Sequence, residues 1–172
     1  DELNKDYHIV VVDYDLNNKF DILEKIPNKE KCEILVNACC EPACKKRSAH
    51  YRSIGLQQIA YANHVRKYAD VPFNPEKLLR EHPEIEVTAG CKCMERNIFQ
   101  IKKLSTHITP DDIWEKYVPM GFSQFKIEGR TLDIFNLMEH YLYYMIKPEC
   151  KEEARFMLLK QLRANKVITV NE

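Results

Sequence analysis

Two short β-branched and aliphatic runs, Tyr7-His-Ile-Val-Val-Val-Asp13 and Glu33-Ile-Leu-Val-Asn37, leave room between them for one short helix and little else. Phe20-Asp-Ile-Leu-Glu-Lys-Ile26 carries apolar residues at helical spacing, after a loop, Asp13 to Asn18, rich in potential helix caps. Pro27-Asn28 then stops it. Two antiparallel strands can be joined by a two-residue turn, whereas parallel strands need a crossover of about a dozen residues or more, usually a helix. The strand–helix–strand order therefore predicts a parallel pair and an α/β fold.

The remaining chain continues the alternation. Arg47 to Ala69 reads as a helix, with Ile54, Ile59, Tyr61, Val65 and Tyr68 expected on one buried face. Pro72, Pro75 and Pro83 mark an irregular excursion around 70–95. Within it Glu84 to Thr88 alternates like a strand and leads into Gly90-Cys-Lys-Cys-Met94. Asn97-Ile-Phe-Gln-Ile101 reads as a further strand. Thr109-Pro-Asp-Asp112 is a helix start, with a capping hydroxyl, proline at the first position and acids in the first turn. Ser123 to Ile127 reads as a strand, turned by Glu128-Gly-Arg130. A long amphipathic helix from Thr131 to Ile146 and a last one from Glu149 to Ala164 follow. The expectation is a single α/β domain over 1–172 with four or five strands, either a barrel or a sheet with helices on both faces. In both, ligands bind at the carboxyl ends of the strands.

Lys plus Arg and Asp plus Glu are both 26, so net charge gives no argument for nucleic-acid or membrane binding, and any such site must be local. The longest apolar run, Tyr141-Leu-Tyr-Tyr-Met-Ile146, is far below the roughly 20 residues of a membrane-spanning helix. Asp1-Glu-Leu-Asn-Lys5 lacks the basic-then-apolar pattern of a signal peptide. A reducing, cytoplasmic setting is expected, in which clustered cysteines favour metal or redox chemistry over a disulfide framework.

Seven cysteines are unevenly placed. Cys39, Cys40 and Cys44 sit in one loop directly after the second strand, and Cys91 and Cys93 in another after a candidate strand. Four thiolates complete a shell for zinc or for a cubane cluster. The spacings are not those of a zinc ribbon or a bacterial ferredoxin, which favours a dispersed four-cysteine 4Fe–4S site over zinc. Cys40, Cys44, Cys91 and Cys93 are the candidate ligands, with Cys39 as substitute for Cys40; by side-chain alternation one of these neighbours should point away. Cys32 and Cys150 are expected to be small buried hydrophobes.

Lys45, Lys46, Arg47, His50 and Arg52 form a basic group beside these thiols. Such cations lower thiol pKa values, offset cluster charge and hold anionic substrates. Arg47 and His50, three apart on one helical face, are the functional candidates; Lys45 and Lys46 read as a solvated face. Lys126, Glu128 and Arg130 alternate at a strand end, with Lys126 and Glu128 expected on one face as a functional or structural ion pair.

Phe125-Lys-Ile-Glu-Gly-Arg130, ahead of a long helix ending at Lys147-Pro148, resembles the closing strand of the collagenase-like U-type peptidase family. Cys40-Glu-Pro-Ala-Cys44-Lys-Lys-Arg47 resembles that family's C-x-x-x-C-R segment. The resemblance covers Tyr7 to Leu162. It implies a TIM-type (β/α) barrel, and members include proteases, RNA hydroxylation proteins and proteins of oxygen-independent ubiquinone hydroxylation, several with a four-cysteine 4Fe–4S cluster. The family's barrel is longer and its closing motif lies near its end. The resemblance therefore implies that this chain is the C-terminal half of a barrel, completed by a missing N-terminal half or a second chain. Cys91 and Cys93 match no family arrangement and enter on spacing alone.

The resulting expectation is an iron–sulfur barrel protein acting in hydroxylation or modification of an RNA or a small aromatic substrate. A collagenase-like peptidase is the alternative by analogy, although no Ser-His-Asp order or H-E-x-x-H motif is present. A non-catalytic half-barrel subunit with structural zinc or no metal is the third reading.

Overall fold

A computed structural model of the chain describes residues 3–83, 85, 92–129 and 132–169. It divides into two compact units, the first formed by Asp1–Pro42 with Cys93–Glu172 and the second by Ala43–Lys92.

The first unit holds a three-stranded sheet in the order β1 (Val10–Val11), β2 (Cys32–Leu35), β3 (Gln124–Lys126), parallel throughout. Val10 pairs with Cys32, and Ile34 with Phe125. Side chains alternate along a strand, so Cys32, Ile34 and, beyond the strand's end, Val36 point one way into a core shared with Val12, Leu23, Ile108, Tyr117 and Phe122. Glu33 and Leu35, facing the other way, are half-buried, and Val11 on that face is 51% exposed. The parallel α/β expectation holds. The described residues contain three strands rather than four or five, and they do not close into a barrel. The expected strand over 84–88 lies outside the described residues apart from Ile85.

The first unit opens with two short helical segments, α1 (Leu3–Asp6) and α2 (Phe20–Leu23). The second unit supplies α3 (Arg47–Lys67) and α4 (Pro75–Glu81). The first unit resumes with α5 (Ile98–Ile101), α6 (Pro110–Asp112), α7 (Ile134–Met145) and α8 (Lys151–Ala164). The cap at Thr109 forms as expected: its hydroxyl accepts from Asp112 N at 3.0 Å, and Asp112 Oδ2 accepts from Thr109 N at 3.3 Å. The helix then widens into a π turn over Ile113–Tyr117.

Two expectations are corrected. The run Asn97–Ile101 is a helix, not a strand. Asn97 Oδ1 accepts from Gln100 N at 3.1 Å and Gln100 Oε1 accepts from Asn97 N at 3.0 Å, closing a capping box. Ile98 and Ile101, three apart, are then buried together. In α3 the expected apolar face is open to water, with Ile59 60% and Tyr61 54% exposed and Ser53 the one buried residue of the helix. Cations, amides and hydroxyls interrupt every stripe of this helix, so no continuous face is left to bury.

Candidate functional site

The first unit gathers its chemistry where β2 and β3 end. Val36 N still donates to Lys126 O at 3.0 Å, and the chain then turns. Asn37, 1% exposed, bridges the gap that opens. Its Nδ2 donates to Glu128 O at 2.7 Å and its Oδ1 accepts from Glu128 N at 2.6 Å. That places the Glu128 carboxylate where its Oε2 accepts from Cys39 N at 3.3 Å.

Cys39 is buried, Cys40 half-buried, and their side chains are hydrogen-bonded to each other. The alternation that would send one of them away is lost because the chain has left the strand at the Val36–Asn37 turn. The contact with Cys40, burial and the negative charge of Glu128 all push the Cys39 thiol far up. Left to itself the Cys39 thiol stays protonated; ionising it needs a compensating positive charge.

Arg96 supplies such a charge beside Cys39. It follows a helical turn, Cys93–Glu95, and its Nη1 donates to Cys39 O at 2.7 Å while Nη2 donates to Glu41 Oε2 at 2.5 Å. The bond from Glu41 raises its pKa, burial opposes this, and the nearby Cys93 and Cys39 sulfurs raise it further. Arg96 thus draws the Cys39–Glu41 loop and Cys93 to one guanidinium, though they are more than fifty residues apart in sequence. The Arg96 carbonyl accepts from Asn136 Nδ2 at 3.4 Å, fixing this segment against α7. One turn on, His140 donates through Nδ1 to Asn136 O at 2.8 Å, and its buried Nε2 has no hydrogen-bond partner among the described residues.

The other predicted residues fall elsewhere. Lys126 is not paired with Glu128: its ammonium, 52% exposed, bonds Glu33 Oε1 at 3.0 Å across the β2–β3 register. Cys44, Arg47 and His50 belong to the second unit, where Arg47 and His50 occupy the first turn of α3 and His50 stacks on Tyr51 at 6.3 Å. Cys91 and Arg130 lie outside the described residues. Cys32 is buried as expected, while Cys150 is exposed at the start of α8, because the turn at Pro148–Cys150 carries no buried residue. Among the described residues no three His, Cys, Asp or Glu side chains are grouped so as to hold a metal ion, and no helix is long and apolar enough to cross a membrane.

Asn37, Arg96 and Asn136 were not legible as site residues. Arg96 had one faint sign, a cation directly after the Cys-Lys-Cys segment. No family model matches the chain, and no curated protein and no solved structure matches it.

Proposed function

We propose that the chain is an iron–sulfur protein of the α/β barrel type that its motifs resemble, with a 4Fe–4S cluster held by Cys40, Cys44, Cys91 and Cys93, and that it acts in hydroxylation or modification of an RNA or a small aromatic substrate. The observation that carries this reading is that Arg96, at the carboxyl ends of β2 and β3, binds the Cys39 carbonyl and lies near the Cys93 sulfur, while the Cys39 side chain is hydrogen-bonded to that of Cys40. The donor set fits a soft metal in kind: thiols dominate it, and a metal ion is the positive charge that would let them ionise. Cys44 and Cys91 enter on the sequence alone. When bound, a cluster supplies one-electron chemistry. The chain's own part is to hold the thiol loop through Arg96 and to hold Glu128 through Asn37. Anaerobically purified protein is expected to be brown and to contain about four irons and four sulfides per chain. One zinc per chain, or colourless metal-free protein after anaerobic reconstitution, would overturn it.

A second reading, a half-barrel that needs a partner, is favoured by one observation. Tyr7, Ile9 and Val11 alternate into β1 and are 60%, 41% and 51% exposed. Parallel sheets are ordinarily covered on both faces. On this reading the full chain sediments as a dimer or larger assembly; a monomer at micromolar concentration contradicts it.

A further inference from the structure

Within the second unit, α3 and α4 with the segment between them enclose a cleft of about 470 Å³. Sites for small ligands typically span about 300–1,000 Å³. Its walls include His64, Tyr68 and Phe73, with Lys77 and Glu81 among the polar groups. The His64 ring lies 5.4 Å from Phe73 at a steep angle and 5.6 Å from Tyr68. Tyr61 backs Phe73 edge-on at 5.4 Å. His64 is anchored by donating from Nε2 to Val71 O at 2.7 Å. Tyr68 is 47% exposed, so this group of rings keeps a large ring surface open to water.

The charge of this unit is equally one-sided. From Ala43 to Ala69 there are six cations, Lys45, Lys46, Arg47, Arg52, Arg66 and Lys67, and no Asp or Glu. The whole unit carries nine Lys and Arg against five Asp and Glu, a net +4 in a chain whose net charge is zero. Lys67 Nζ stands 5.1 Å from the Tyr68 ring centre. The one acid lining the cleft, Glu81, is 3.9 Å from Lys77 in an exposed i,i+4 pair, which holds little energy. Between Ala60 and Glu81, the span that lines the cleft, four cations, Arg66, Lys67, Lys77 and Arg80, stand against three acids, Asp70, Glu76 and Glu81, so the local excess is one positive charge and favours an anionic ligand over a cationic one.

We propose that this cleft binds a planar aromatic ring bearing a phosphate, the ring against Tyr68 and Phe73 and the phosphate toward Lys67 and Lys77. A free nucleotide and a nucleotide within a single strand share this chemistry. Aromatic stacking accepts any base, and Lys binds phosphate as a point charge. Every residue involved lies in the second unit, so the inference stands apart from the iron–sulfur reading.

The test is a fluorescence titration of the full chain with 2-aminopurine riboside 5′-monophosphate, the same riboside without phosphate, and a short single strand containing it. Quenching by either phosphorylated probe, weaker by at least tenfold in Tyr68→Ala and retained in Tyr68→Phe, is the expected result. Lys77→Gln is expected to weaken the phosphorylated probes and leave the bare riboside unchanged. Binding of the monophosphate identifies a free nucleotide as source, and binding of the strand alone a single strand. No quenching by either, equal binding of the bare riboside, or a Tyr68→Ala chain of unchanged helicity that binds normally would each overturn the proposal.

Discussion

Asn37 makes with its side chain the two hydrogen bonds that a neighbouring strand would make with its backbone: Nδ2 to Glu128 O at 2.7 Å and Oδ1 from Glu128 N at 2.6 Å. It thereby extends the β2–β3 pairing beyond the point where the backbone diverges. Asn37→Ala leaves both Glu128 groups without these partners in a part-buried setting, and the expected loss is about 2–4 kcal/mol. Asn37→Asp is expected to destabilise as well, since a carboxylate oxygen then faces the Glu128 carbonyl. Urea denaturation of both variants checks this; a midpoint unchanged in Asn37→Ala contradicts it.

Arg96 holds the loop rather than merely neutralising it. A guanidinium can donate to Cys39 O and Glu41 Oε2 at once, which an ammonium on a flexible stem does poorly. Arg96→Lys, which keeps the charge and loses the planar fork, is expected to raise the alkylation rate of Cys39 in metal-free protein several-fold, with buried Cys32 unchanged as internal control. Equal Cys39 rates in wild type and Arg96→Lys would show that the loop is held by other contacts.

Tyr144 ties two extended segments of the first unit together. Its hydroxyl lies 3.1 Å from both Val36 O and Ile108 O. Val36 O also accepts from Ile108 N at 3.1 Å, so Tyr144→Phe leaves that acceptor one partner. The expected cost is correspondingly modest, about 1 kcal/mol, read as a lowered thermal midpoint with unchanged secondary structure.

His107 makes the first unit acid-sensitive. The residue is 7% exposed, and burial together with the charge of Lys102 and a smaller effect of His140 lowers its pKa to about 4, against a partial opposing pull from Asp112. Above about pH 6.5 the folded and unfolded chains both hold it neutral, and it contributes no pH dependence. Between pH 6.5 and about 4 the unfolded chain takes up a proton that the folded one refuses, so stability falls as pH falls, by up to about 3 kcal/mol. His107→Leu is expected to flatten that part of the urea midpoint–pH curve relative to wild type. Parallel curves for the two proteins would contradict it.

Local signals were legible where they act within a few residues. Thr109 and Asp112 cap each other in the folded chain because both bonds are three residues long. The same kind of signal is present at Asn97 and Gln100, in a run that reads from the sequence as a strand. The capping box and the i,i+3 burial of Ile98 and Ile101 decide for a helix. What spacing could not reveal is long-range. Arg96 meets Cys39 across 57 positions, and Asn37 meets Glu128 across 91. The Lys126 partner is set by the β2–β3 register rather than by its neighbour two residues on. In α3 the converse holds: apolar residues compatible with one face, Ile59 and Tyr61 among them, stay exposed because cations, amides and hydroxyls interrupt that face.

The cluster proposed for the thiols after β2 has a direct readout. Iron and sulfide content and the visible spectrum of anaerobically reconstituted wild type, Cys40→Ser and Cys150→Ser test it most directly. About four irons per chain and a broad sulfur-to-iron absorption are expected in wild type and in Cys150→Ser, with both lost or sharply reduced in Cys40→Ser. Iron loading equal in all three proteins, or absent from wild type, would contradict it.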